Sequence, residues 1–232
     1  MRREEFFARI AARLGPRSEE HAADSLATGE PSSRATREPS SPRTTGDSAP
    51  SSRGELAARF ERELARVGGA VRRVDGPAGL AAEITRFLEE SGARTLVAFE
   101  RAAFAGLGLE ALLDSPALAT ASAPDFRARA AAADAGLSIA DLGVAASGSM
   151  LFSATPDRPR ATTLLPGSHV AILRASAIVP DLAAAFRALA ARGPAASSSI
   201  FVTGPSRTSD IENDLTLGVH GPAAVTVFLL QD

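Results

Sequence analysis

From Arg53 onward, short apolar runs of strand length alternate with amphipathic segments of helix length. The clearest apolar runs are Thr95–Phe99, Val170–Leu173 and Ala224–Leu230, and helical stripes separate them. Strands that alternate with helices are joined by crossover connections, which make neighbouring strands parallel and cover both faces of the sheet. The alternation therefore predicts a three-layer α/β fold with a parallel-rich sheet flanked by helices.

The pattern also predicts the individual elements. Predicted helices are the stripe Leu56–Val67, which stops at Gly68-Gly69, and the segments Ala78–Ser91, Glu100–Leu113, Asp125–Ala135 and Asp181–Ala191. Predicted strands are Ala70–Val74, Thr95–Phe99, Ala140–Ala145, Met150–Ser153, Val170–Leu173, Ser199–Thr203 and Ala224–Leu230. Gly106–Ala111 matches a loose dinucleotide pattern, but its distance from the preceding strand favours a simple helix interruption.

The chain divides into three zones. Met1–Leu14 predicts a short amphipathic helix, and Gly15–Ser52 is a linker rich in Ser, Pro, Thr, Arg and Gly. Arg53–Asp232 has the length of one α/β domain. The first helix either folds back onto this domain or docks onto a partner, and the sequence leaves both readings open.

Composition excludes several kinds of chemistry. All 25 basic residues are arginine and no cysteine occurs, so lysine Schiff bases, thiolate nucleophiles, disulfides and iron–sulfur clusters cannot form within this chain. The net charge of −2 gives no basic field for nucleic acid. No apolar run approaches the roughly 20 residues that span a bilayer, and Met1–Leu14 lacks the apolar core of a secretory signal, so we expect a cytoplasmic protein.

The signature segment, Gly204–Pro222, concentrates polar chemistry between two strand-like runs. Ser209 and Glu212 have the spacing of a capping box, which predicts a helix beginning at Ser209. Its free N–H groups, with Arg207 and Thr208 just before them, would form a corner that binds an anion or carboxylate.

Histidines and a serine turn supply the other candidates. His169 follows Pro166-Gly167-Ser168, and His220 lies in a Gly-Val-His-Gly-Pro turn; each either fixes a loop or contacts a ligand. We expect no metal site, because the acids near His220 are better explained as charges at a helix N-terminus. The serine turn, Ser147-Gly148-Ser149, permits close approach of a ligand or of another backbone segment.

Four ordered motifs carry a family resemblance. They are Ala146–Ser149, Thr163–Pro166 followed by His169, Ile178–Pro180, and Ser206–Glu212 followed by Gly218–Pro222. Together they resemble the lactate utilization protein C family (the LutC/YkgG group of LUD domains) over about Arg53–Asp232. At the serine turn this chain has Ala146 where the family usually has an acidic residue, and Ser147 where threonine is usual.

The resemblance implies a fold similar to the NagB/RpiA/CoA-transferase group. It also implies a cluster-free component of L-lactate oxidation to pyruvate, acting beside iron–sulfur partner subunits. Carried over by position, the ligand-binding candidates are Ser147, Gly148, Ser149, His169, Ser206, Arg207 and Thr208, and the catalytic candidates are Glu212, Asp210 and His220.

Three hypotheses follow for the function. In the first, the protein is an accessory or regulatory subunit whose cleft binds a small anionic ligand, held by Arg207, without any covalently bound cofactor. In the second, it is an autonomous enzyme of the sugar-phosphate isomerase or CoA-transferase type, with Glu212 or Asp210 as base and His220 as acid. In the third, it is a scaffold without a ligand.

Overall fold

Six parallel strands form the central sheet of the computed structural model, which describes residues 52–192, 196–209, 215–218 and 220–231. Their order across the sheet is β1 (Ala70–Asp75), β12 (Ala224–Gln231), β7 (Ser168–Arg174), β4 (Ala135–Ile139), β2 (Leu96–Ala98) and β3 (Leu118–Thr120). The described part of the chain confirms the predicted α/β class. The predicted helix over Met1–Leu14 and the linker up to residue 51 lie outside the described residues.

The helices connect and cover these strands. They are α1 (Arg53–Arg66), α2 (Pro77–Ser91), α3 (Glu110–Leu113), α4 (Phe126–Ala132), α5 (Ala161–Leu164) and α6 (Leu182–Arg192), with 3-10 turns at Arg101–Phe104 and Ala175–Ala177. α1 begins with a capping box, in which Ser52 Oγ accepts from Glu55 N (3.2 Å) and Ser52 N donates to Glu55 Oε2 (3.0 Å). Phe60 and Leu64 on its inner face are fully buried.

A second, smaller sheet packs on the first. Its order is β8 (Ile178–Val179), β5 (Leu142–Val144), β6 (Ser149–Ala154) and β9 (Ser198–Val202), and β6 is antiparallel to both β5 and β9. A two-stranded antiparallel ribbon, β10 (Arg207–Ser209) and β11 (Leu215–Leu217), follows β9 in the chain.

The two faces of the central sheet pack against different parts of the fold. Alternate residues of a strand face opposite sides, so His169 and Leu173 share one face of β7. The ring of Phe152, from the second sheet, lies 5.2 Å from the His169 ring on that face. On the other face, Phe228 of β12 meets Phe87 of α2 edge-on at 5.8 Å. The core is therefore layered, with the central sheet in the middle.

Most predicted elements are confirmed, and two predicted helices are wrong in extent. Glu100–Leu113 is not continuous, because Gly106 and Gly108 have positive φ (75° and 68°) and separate a 3-10 turn from α3. Asp125–Ala135 is also too long, since α4 ends at Ala132 and Ala135 begins the central strand β4. Sequence reasoning missed β4 and β3 entirely.

Candidate functional site

The two ends of the signature segment are held together by backbone hydrogen bonds. Ser206 N donates to Pro222 O (2.9 Å), and Gly218 N donates to Ser206 O (3.0 Å). A Cβ added at Gly221 would lie 3.3 Å from the Cβ of Ser206, so glycine permits the close contact between the two ends. Ser206 and the exposed His220 turn therefore belong to one loop cluster.

The prediction that a helix begins at Ser209 is wrong. Ser209 ends strand β10 and pairs with Leu215 of β11, while Thr208 pairs with Thr216 and Arg207 with Leu217. The expected helix N-terminus therefore does not begin there. Asp210 and Glu212, the predicted acid–base residues, lie outside the described residues.

Arg207 extends across the end of α1. The exposed guanidinium covers Gly68, where an added Cβ would overlap Nη2 and lie 3.5 Å from Cζ. No carboxylate among the described residues pairs with it. Arg207 thus remains a candidate for holding an anion.

The serine turn is used for packing. Ser147 Oγ and Ser149 Oγ lie 2.8 Å apart, and Ser149 Oγ lies 2.7 Å from Thr203 Oγ1, so these hydroxyls bond one another. Gly148 has φ +66°, and an added Cβ would overlap Leu64 N and lie 2.6 Å from Leu64 Cα. Of the two readings left open by the sequence, the structure shows close approach to another backbone.

The serine turn and the loop before β10 both pack on the C-terminal end of α1. A Cβ added at Gly204 would lie 2.8 Å from Val67 O, Gly148 touches Leu64, and Arg207 covers Gly68. The two loops are therefore near neighbours. The space beside both glycines is filled by the protein, so a ligand cavity must lie elsewhere.

His169 is a core residue of β7. Its imidazole is fully buried, and Nε2 lies 2.7 Å from Ser138 Oγ, while Nδ1 has no partner among the described residues. Burial lowers the pKa of His169 to about 4, because a charged ring there would lose its hydration. The ring is therefore neutral at physiological pH and does not face the solvent.

His220 lines a small cavity. Its volume is about 340 Å³, and its described wall is formed by Leu164–Gly167 and, about fifty residues later, by Gly218, His220, Gly221 and Ala223. We call it the His220 cavity. Most of these wall residues belong to two of the motifs that carry the family resemblance.

A larger groove of about 1040 Å³ adjoins it and shares Leu164 and Leu165. Its wall includes the exposed residues Arg127 and Arg160, which sequence reasoning did not select. The only sequence signal was the run Pro156-Asp-Arg-Pro-Arg160, an unusual density of arginine and proline. We call this feature the arginine groove.

Asp141, just beyond β4, was missed as well. Its nearly buried carboxylate accepts from Arg158 Nη1 (2.7 Å) and Ser153 N (2.6 Å), and Arg192 Nη1 lies 3.2 Å away. Arg158 also donates to Ile139 O (2.6 Å). The cluster ties the end of the central sheet to α6, which indicates a structural role.

The part of the chain that the structure describes holds neither a metal-binding cluster nor a membrane-spanning helix. No group of three or more His, Asp or Glu side chains is arranged to hold a metal ion there. In the same residues, none of the helices has the length and apolar character required to cross a membrane.

The LUD domain family model matches residues 57–230, and the chain therefore belongs to the LUD domain family. The lactate utilization protein C of Exiguobacterium sp. AT1b is 38% identical over 104 residues, which cover 43% of this chain and 45% of that protein. The protein of the same name from Bacillus subtilis is 36% identical over 108 residues, which cover 45% of each. The chain thus spans about half the length of these relatives.

A longer alignment agrees with this assignment, and a solved structure agrees with the fold. The lactate utilization protein C of Halalkalibacterium halodurans is 31% identical over 156 residues, 64% of this chain and 68% of that protein. The crystal structure of a DUF162 family protein from Deinococcus radiodurans superposes with a TM-score of 0.60, at 22% identity, over 78% of this chain and 99% of that one. That structural likeness supports the fold alone.

Proposed function

We propose that this protein is a cluster-free accessory or regulatory component of a cytoplasmic L-lactate oxidation system. The pathway role is supported by the name that its relatives share, lactate utilization protein C. The accessory role is supported by the absence of cysteine from the chain, which leaves electron transfer to a partner subunit or to a bound organic cofactor. The partner subunits are iron–sulfur proteins in this proposal.

The component binds a small carboxylate in the His220 cavity. The observation that carries this step is that residues of two resemblance motifs, Thr163–Pro166 and Gly218–Pro222, line one cavity. Its volume of about 340 Å³ suits a molecule of the size of lactate or pyruvate with a few waters. The His220 imidazole donates to the carboxylate. Arg207 lies on the same loop cluster, but its guanidinium covers Gly68 and is not part of the described cavity wall.

Calorimetric titration with L-lactate and with pyruvate tests the binding step. We expect saturable binding of at least one of them, and its loss in His220→Ala. Arg187→Ala serves as a matched control, because Arg187 is an exposed arginine on α6 outside the cavity wall. If neither acid binds the purified chain, the ligand proposal is wrong.

The pathway role is tested separately in a host that lacks its own lactate utilization protein C. Expression of this chain restores growth on L-lactate if the proposal holds, and His220→Ala does so poorly. Failure of the unmodified chain to restore growth, while it is present and folded, contradicts the role. Turnover of a sugar phosphate or CoA ester by the purified chain alone would instead support the autonomous-enzyme hypothesis.

A further inference from the structure

The arginine groove has the size and lining of a binding site for an organic molecule. It lies beside the ends of β6 and β9 and is bordered by α4 and α5. Its volume of about 1040 Å³ is three times that of the His220 cavity, too large for a lactate-sized ligand to fill. The groove therefore suits a ligand that is larger than lactate and belongs to another chemical class.

Its charge is uniformly positive. Arg127 and Arg160 are the charged members of the described wall, and no acidic side chain faces the groove there. Neither arginine has an ion-pair partner among the described residues. Seven of the other described arginines are held by carboxylates, namely Arg66, Arg72, Arg73, Arg86, Arg101, Arg158 and Arg192.

The remainder of the wall is apolar. Leu164 and Leu165 are 37% and 39% exposed, among the few large apolar side chains that the described surface leaves open to water. Phe126 adds a partly exposed ring at the α4 side. Clustered exposed apolar groups that adjoin charges are typical of ligand or partner sites.

The backbone is strained at the edge of the groove. Asp125, directly before Phe126 and Arg127, has φ +54°, and it is the one non-glycine residue with positive φ in the described part of the chain. Such a conformation costs on the order of 1 kcal/mol or more and is retained where the surrounding structure holds it, often at ligand sites. Asp125 is the residue at which the chain enters α4.

We propose that the arginine groove binds an organic phosphate with a flat apolar portion, of the size of a nucleoside diphosphate. The two arginines hold the phosphates through paired N–H donors, a geometry that guanidinium groups match well. Leu164, Leu165 and Phe126 cover the apolar portion. This site is distinct from the His220 cavity, although Leu164 and Leu165 belong to the walls of both.

The test is a fluorescence titration of the full chain with trinitrophenyl-ADP, which carries both a diphosphate and a flat apolar group. We expect saturable binding that ADP displaces at lower concentration than either pyrophosphate or adenosine. Arg127→Gln and Arg160→Gln should each weaken binding by about tenfold or more, as expected for the loss of a charge-assisted hydrogen bond. Arg187→Gln is the control and should leave the affinity unchanged.

Several results would overturn the proposal. These are the absence of saturable binding, equal weakening by Arg187→Gln, and displacement by pyrophosphate alone as effective as that by ADP. Both groove arginines are exposed, so the variants should melt at the same temperature as the unmodified protein, and a melting curve checks this. Lactate or pyruvate binding should survive in Arg127→Gln, which separates this site from that of the proposed function.

Discussion

Gly148→Ala tests the role that the structure gives to the serine turn. Two costs add. A left-handed conformation at an alanine costs about 1 kcal/mol, and the displacement of a packed backbone segment costs about 1–3 kcal/mol more. The second cost arises because the new methyl group would overlap Leu64 N in the last turn of α1, where Leu64 is fully buried. We therefore expect a loss of about 2–4 kcal/mol in the free energy of unfolding.

Thermal and urea denaturation measure this loss, and Gly92→Ala supplies the matched control. Gly92 also has positive φ (+70°), but an added Cβ there meets nothing within 4 Å, so only the conformational cost of about 1 kcal/mol applies. For a domain of this size the melting temperature should fall by about 5–15 °C in Gly148→Ala and by about 2–4 °C in Gly92→Ala. Equal losses in the two variants would refute the close packing of the turn on α1.

Two further predictions concern buried polar groups. The unfolded chain protonates His169 below about pH 6.5, whereas the folded core resists protonation until about pH 4, so stability should fall by about 3 kcal/mol as the pH drops through this window. In His169→Gln, urea midpoints measured between pH 7 and pH 4 should depend less on pH, and an unchanged dependence would contradict the assignment. Asp141→Asn should cost about 2–3 kcal/mol in urea denaturation, since it leaves Arg158 and Arg192 without their buried carboxylate. A cost within the range of ordinary surface substitutions would contradict a structural role for the cluster.

Sequence reasoning found the strands that are marked by an apolar run within one short stretch of the chain. Val170–Leu173 and Ala224–Leu230 are uninterrupted apolar runs, and they became β7 and β12 at the centre of the sheet. β4 reads Ala-Gly-Leu-Ser-Ile directly after an alanine-rich helix, so its small residues carried no strand signal. At Gly136 packing against α5 requires a small residue, because an added Cβ would overlap Thr162 O.

The same capping pattern had two different outcomes. Ser52 and Glu55 form a real capping box, since the 14-residue helix after them buries an apolar stripe against the sheet. Ser209 and Glu212 have identical spacing, yet Ser209 pairs with Leu215 in a strand ribbon. Local spacing alone does not decide between a cap and a strand when non-local pairing competes.

The candidate site could be predicted only in part. His220 was selected from its turn, and it does line a cavity with residues of a second motif. The arginine groove could not be located from the run Pro156–Arg160 alone, because Arg127 and Arg160 are brought to one groove by the packing of α4 and α5 beside the ends of β6 and β9. His169 was selected as well, but its strand position buries it.

The central claim is that the His220 cavity binds a small carboxylate, and histidine NMR tests it most directly. The chain has only three histidines, so a protein labelled at its imidazole carbons gives a spectrum in which His220 can be followed beside the buried His169. Added L-lactate or pyruvate should shift the His220 signal saturably while the His169 signal stays in place. A His220 signal that does not move with either acid, or that moves only together with the other two, would contradict the claim.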